Sequence, residues 1–174
     1  AHQGDNIVSV PTLYGGTTTL LQKTLPQYGI EGRFIEDETD IDSYRNYIDD
    51  RTKAIYIEAL GNPGMNVLDV DRITALAHSY GIPVVIDNTF ATPYLFRPFE
   101  HGVDIVCYSA TKYLSGHGVN IAGIVVESGK FNYLNGRFPE FETFYNDFKD
   151  WIDEETLKRE MFTKRLRITY LTDL

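Results

Sequence analysis

Val103-Asp104-Ile105-Val106-Cys107-Tyr108-Ser109-Ala110-Thr111-Lys112-Tyr113 is the stretch on which the reading of this chain turns. The apolar run from Ile105 to Tyr108 is predicted to be a buried strand. It ends in a small polar cluster, Ser109-Ala110-Thr111, and a lysine follows at once. Open α/β sheets gather ligands just beyond the carboxyl ends of their strands. A lysine there can be a solvated charge opening a loop, as most lysines are. It can also be an amine that condenses with a carbonyl, while the hydroxyls of Ser109 and Thr111 hold an anion beside it.

A second stretch favours the chemical reading. Pro83-Val84-Val85-Ile86-Asp87-Asn88-Thr89 is another apolar strand, and it closes on a carboxylate. A lysine, a carboxylate and anion-binding hydroxyls are the parts of a pyridoxal 5'-phosphate (PLP) site. The amine takes the aldehyde, and the acid keeps the ring nitrogen protonated so that the ring draws electrons. The interval between Asp87 and Lys112 leaves room for one short helix between neighbouring parallel strands. Alone, Asp87 would be read as a cap for the short helix expected around Thr92 to Phe96.

The rest of the chain alternates in the same way. Strands are expected at Asn6 to Val10, Gly32 to Glu36, Thr52 to Leu60 and Asn120 to Glu127. Helical spacing appears at Leu20, Leu21, Thr24 and Leu25, and again at Ile41, Tyr44 and Ile48. A further helix is expected from Val67 to Tyr80, with Asp69 near its start and Gly81 as its stop. Asp153 to Asp173 reads as helix, with acids early and bases late, whereas the aromatic-rich Phe131 to Phe148 reads as less regular. Continuous apolar strands alternating with helices predict an α/β fold, a mostly parallel sheet with helices on both faces.

Tyr14 precedes a glycine pair at a strand-to-helix turn, on the same rim as Asp87 and Lys112. An aromatic there can equally be a turn anchor. Asn62 opens an Asn-Pro turn after the Thr52 strand, which is also an ordinary turn starter. Glu58, late in that strand, could support the site from behind. His117, between two glycines, is expected to make a turn contact or cap rather than to catalyse.

Composition narrows the classes. The 174 residues are 43% hydrophobic, enough for a core, and carry a formal net charge of −9. Nucleic acid and anionic membrane are therefore not expected as partners. No apolar run approaches the ~20 residues of a membrane span. No glycine-rich dinucleotide fingerprint and no His/Cys cluster with metal spacing occurs. The single cysteine, Cys107, suits a reduced cytoplasmic setting and a packing role.

Ser109-Ala110-Thr111-Lys112-Tyr113-Leu114-Ser115-Gly116-His117-Gly118 resembles the lysine motif of the Cys/Met-metabolism PLP enzymes, and Asp87-Asn88-Thr89-Phe90-Ala91-Thr92-Pro93 matches a second motif of that family. The resemblance runs from Gly4-Asp5-Asn6 to about Phe141. It implies the large domain of the type I PLP-dependent transferase fold, incomplete at its N-terminus, over residues 1–150. Residues 151–174 would then be a helix leading toward a further domain, and the chain a piece of a longer polypeptide. It also implies site roles: Lys112 holds PLP, Asp87 faces the ring nitrogen, and Tyr14 stacks on the ring and takes part in proton transfer. Ser109 and Thr111 would hold the phosphate, and Asn62 the phenolic oxygen or the substrate.

Three features look most like the sulfhydrylase branch of the family: Gly116-His117-Gly118-Val119-Asn120, the stretch Asp87 to Pro98, and Gly129-Lys130-Phe131 ahead of Gly136-Arg137-Phe138-Pro139-Glu140. That branch implies joining O-acetyl-L-homoserine to sulfide or methanethiol, in a cytoplasmic homotetramer. A γ-synthase or lyase of the same family is the alternative, and a catalytically incomplete piece is another.

Overall fold

The computed structural model describes residues 1–171. Its strands are β1 (Asn6–Ser9), β2 (Glu31–Phe34), β3 (Thr52–Glu58), β4 (Val84–Asp87), β5 (Ile105–Ser109) and β6 (Gly123–Glu127). They form one sheet in the order β2-β1-β3-β4-β5-β6. The pairs β1–β2, β1–β3, β3–β4 and β4–β5 are all parallel. Parallel strands covered by helices on both faces are apolar, and the central ones here are. Val8, Ile55, Ile57, Val84 and Ile86 have no exposed surface.

The helices are α1 (Gly15–Thr19), α2 (Ile41–Arg45), α3 (Val70–Ser79), α4 (Thr92–Leu95), α5 (Pro139–Phe148), α6 (Glu154–Arg159) and α7 (Met161–Leu166). Helical turns continue α1 through Leu20–Thr24 and Leu25–Tyr28. The start of α3 is set by Asp69, whose carboxylate accepts the Arg72 N–H at 3.1 Å. Its inner stripe is Val70, Ile73, Leu76 and Ala77. Gly81 ends it at φ +66°, a left-handed turn that costs glycine nothing.

Two compact units divide the chain, Ala1–Val125 and Val126–Leu174. The sequence reading put the boundary near residue 150. Within the second unit Tyr133, Phe138, Phe141 and Phe144 pack with Leu157 and Met161 into a core of their own. Half of that stretch, expected to be irregular, is the helix α5. The last expected helix is broken at Glu160, which leaves helical geometry between α6 and α7. Its final residues, 172 and 173, lie outside the described residues.

The strand expected from Asn120 begins at Gly123. Ahead of it, both backbone groups of Ala122 are taken by Thr111. Although apolar, β6 is not buried: Ile124, Val125 and Val126 are each more than a third exposed. Among the described residues no helix is long and apolar enough to cross a membrane, and no His/Cys/Asp/Glu group could hold a metal ion.

Candidate active site

Parallel pairing makes β1, β3, β4 and β5 finish on one rim. Residues paired in a parallel sheet point to the same face. Glu58 pairs with Asp87, and Asp87 pairs with Cys107, so the ends of β3 and β4 and the middle of β5 present a carboxylate, a carboxylate and a thiol in a row. Lys112 stands in the turn just after β5, held by its N–H to the Ser109 carbonyl at 3.1 Å and by the Gly116 N–H to its own carbonyl at 3.0 Å. The side chain is exposed. Asp87 and Lys112 thus share one edge of the sheet.

Thr89 links the ends of β4 and β5. Its N–H donates to Asp87 Oδ1 at 2.9 Å, and its Oγ1 accepts the Ser109 N–H at 2.8 Å. Asp87 therefore closes its own loop rather than capping α4. The rings of Phe90 and Tyr113 meet edge-on at 6.1 Å, joining the loops that carry Asp87 and Lys112.

Tyr14 comes to this rim through Glu58. The Tyr14 N–H donates to Glu58 Oε1 at 2.6 Å, at the entry to α1. Its ring is 59% exposed and lies against Gly16, where a Cβ would sit only 2.6 Å from the ring edge. Burial, reinforced by the charge of Asp87, pushes the Glu58 carboxyl up to about 7. The same two causes push the Cys107 thiol up to about 11, which keeps it protonated and unreactive at neutral pH.

The Asn62 turn is tied to the Tyr14 loop. The Asn62 N–H reaches the Thr12 carbonyl at 3.4 Å. The Asn66 amide donates to Thr12 Oγ1 at 3.1 Å and to Glu38, and the Thr12 hydroxyl donates to Glu38 at 2.6 Å. One cluster thus pins three loops of the rim. Thr111 carries a task the sequence did not suggest: its hydroxyl donates to the Ala122 carbonyl at 3.2 Å and accepts the Ala122 N–H at 3.1 Å. Holding a phosphate through Thr111 means exchanging that carbonyl for a phosphate oxygen. His117 Nδ1 faces the Ser115 carbonyl at 2.9 Å, a turn contact.

Sequence reasoning passed over Thr89 and gave Glu58 little weight. Both act across strands, and no local pattern signals that. The donor set suits a PLP ring: an accessible amine, a carboxylate on the same rim, an exposed aromatic ring over a glycine, and hydroxyls at a turn. An α/β sheet of this order, with that set on its carboxyl rim, has the fold of the type I PLP-dependent enzymes. The profile of the Cys/Met metabolism PLP-dependent enzymes matches residues 1–152, and the chain belongs to that family.

Among its relatives is the homocysteine/cysteine synthase of Saccharomyces cerevisiae, 43% identical over all of this chain and 40% of that protein. The O-acetylhomoserine (thiol)-lyase of Campylobacter jejuni, solved with a pyridoxyl-lysine monophosphate, superposes with a TM-score of 0.87 at 38% identity. That match covers 99% of this chain and 43% of the other. The cystathionine gamma-lyase of Lactobacillus plantarum, complexed with L-serine, gives a TM-score of 0.70 at 38% identity, over 73% of this chain and 33% of the other. The chain spans about two fifths of the length of the yeast relative.

Proposed function

We propose that the full-length protein catalyses a PLP-dependent γ-replacement, turning O-acetyl-L-homoserine and sulfide, or methanethiol, into homocysteine, or methionine, and acetate. The observation that carries this reading is the shared rim, with Asp87 in register between Glu58 and Cys107 and Lys112 in the turn after β5. Bound PLP would supply the carbonyl that takes the substrate amino group and the ring that spreads negative charge from Cα.

With PLP bound, Lys112 would be the residue that holds its aldehyde. Its amine, when free, would take the Cα proton of the substrate and then a proton from Cβ. Its long flexible stem lets one group serve both carbons. Acetate would leave Cγ, the thiol would add there, and the Lys112 amine would return a proton to Cβ and then to Cα. Asp87 holds the proton on the ring nitrogen. Tyr14 would stack on the ring and assist proton transfer, the Ser109 and Thr111 hydroxyls would hold the phosphate, and Asn62 would bond the phenolic oxygen or the substrate. A cytoplasmic homotetramer belongs to the same reading, and the single cysteine fits a reducing compartment.

Likeness to a cystathionine gamma-lyase favours elimination as the second reading. Two measurements test the pair. Borohydride should trap PLP on Lys112 of the full-length protein, and Lys112→Ala should trap none; equal trapping in the variant removes Lys112 from the mechanism. Acetate release from O-acetyl-L-homoserine should need sulfide. Release without sulfide, with an oxo-acid formed, points to the lyase.

A further inference from the structure

Glu58 is a charged residue in a place where a sheet has no need of one. It ends β3, is only 4% exposed, and faces Asp87 on β4, with the Cys107 thiol next along on β5 and Tyr56 beside it on its own strand. A buried carboxylate is costly unless it is hydrogen-bonded. Glu58 spends that capacity on the N–H of Tyr14, at 2.6 Å. Tyr14 in turn has no side-chain cap at the entry to α1, and its ring is mostly exposed. The location of the ring is therefore set from the backbone: Glu58 grips the Tyr14 N–H from a neighbouring strand, and the Thr18 hydroxyl of the same helix reaches the Tyr14 carbonyl more loosely, at 3.4 Å.

We propose that Glu58 is a positioning residue of the site: acting through the Tyr14 backbone, it fixes the height of the Tyr14 ring over the rim and so sets the affinity for a flat aromatic cofactor. The inference rests on the PLP reading above. It separates two properties of the side chain. Glu58→Gln keeps the reach and an acceptor oxygen but loses the charge. Glu58→Asp keeps the charge beside Asp87 but is one methylene short of Tyr14.

The test uses the full-length protein, with PLP affinity from fluorescence titration and deuterium uptake of the peptide containing Tyr14, measured without cofactor. Glu58→Ala and Glu58→Asp should weaken PLP binding about tenfold, the size of one lost hydrogen bond, and should deprotect that peptide. Glu58→Gln should stay within about threefold of wild type and keep the protection. In a Tyr14→Ala background, Glu58→Ala should weaken binding less than about twofold further, because the two residues act as one.

Equal losses in both backgrounds would show a general structural role and overturn the proposal. So would Asp behaving as wild type while Gln behaves as Ala. If Glu58→Ala does not fold, the Gln and Asp pair decides. A wild-type protein that binds no PLP sinks the cofactor reading alone, since the deuterium uptake still reports whether Glu58 holds Tyr14.

Discussion

At the scale of single residues, two glycines show how closely the rim is built. A Cβ on Gly16 would stand 2.6 Å from the Tyr14 ring, the movable end of an exposed side chain. Gly16→Ala should therefore leave the melting temperature unchanged or raise it, as alanine does within a helix. The same variant should weaken PLP binding several-fold in a fluorescence titration, because the ring has to shift. Gly61 is the opposite case. A Cβ there would overlap the Asn66 side-chain amide, which Thr12 and Glu38 hold in place. Gly61→Ala should cost about 1–3 kcal/mol, the usual price of overpacking. Asn66→Ala should cost less in that background than alone, and urea unfolding of the four proteins measures the coupling. The places of Asp87 at a strand end and of Lys112 in the turn just beyond one were legible in the sequence, because each follows an apolar run. Thr89 and Glu58 were not, since their partners, Ser109 and Tyr14, lie on other elements.

The elements were read best where a local device fixes them. Asp69 and Gly81 bracket α3 in the sequence as in the fold. The sequence missed α5, whose phenylalanines face a small separate core, and it did not anticipate the break at Glu160. At the opposite edge of the sheet from the site, α3 is tied down by charge. His78 Nε2 meets Asp104 Oδ2 at 2.9 Å, and the buried Asp104 also accepts the Val84 N–H at 2.8 Å. The bond to Asp104 raises the His78 pKa above its ordinary value, against an opposing effect of burial. A histidine raised in the folded state binds its proton more tightly there than when unfolded. Its contribution is complete below about pH 6.5 and is lost as pH rises through the folded value. Stability should accordingly fall as pH rises from about 6.5, and His78→Ala should flatten that slope. Solvent screening at this half-exposed ring keeps the effect below about 1 kcal/mol. Asp104→Ala should flatten the slope too, and should in addition cost about 1–3 kcal/mol even at high pH, because it leaves the Val84 N–H buried without its acceptor. Thermal melts between pH 6 and 8 separate the two variants.

For the molecule as a whole, the least expected surface is β6. Its sequence, Gly123-Ile124-Val125-Val126-Glu127, reads as a strand buried on both faces. In the described sheet it is the end strand beyond β5, and Ile124, Val125 and Val126 are 43%, 44% and 37% exposed. An apolar strand with an open edge is a template for pairing with another chain. The 174-residue polypeptide produced alone should therefore self-associate, and a lysine in the middle of the strand should oppose that. Val125→Lys is expected to raise the monomer fraction of this polypeptide in sedimentation velocity. If the full-length protein covers β6, as the apolar pattern implies, the same charge would be buried there and should lower its melting temperature. A single substitution thus has opposite expected effects in the two settings, improving the short chain and damaging the long one. If Val125→Lys is harmless in both, β6 is a tolerated surface strand, and its apolar sequence needs a different explanation.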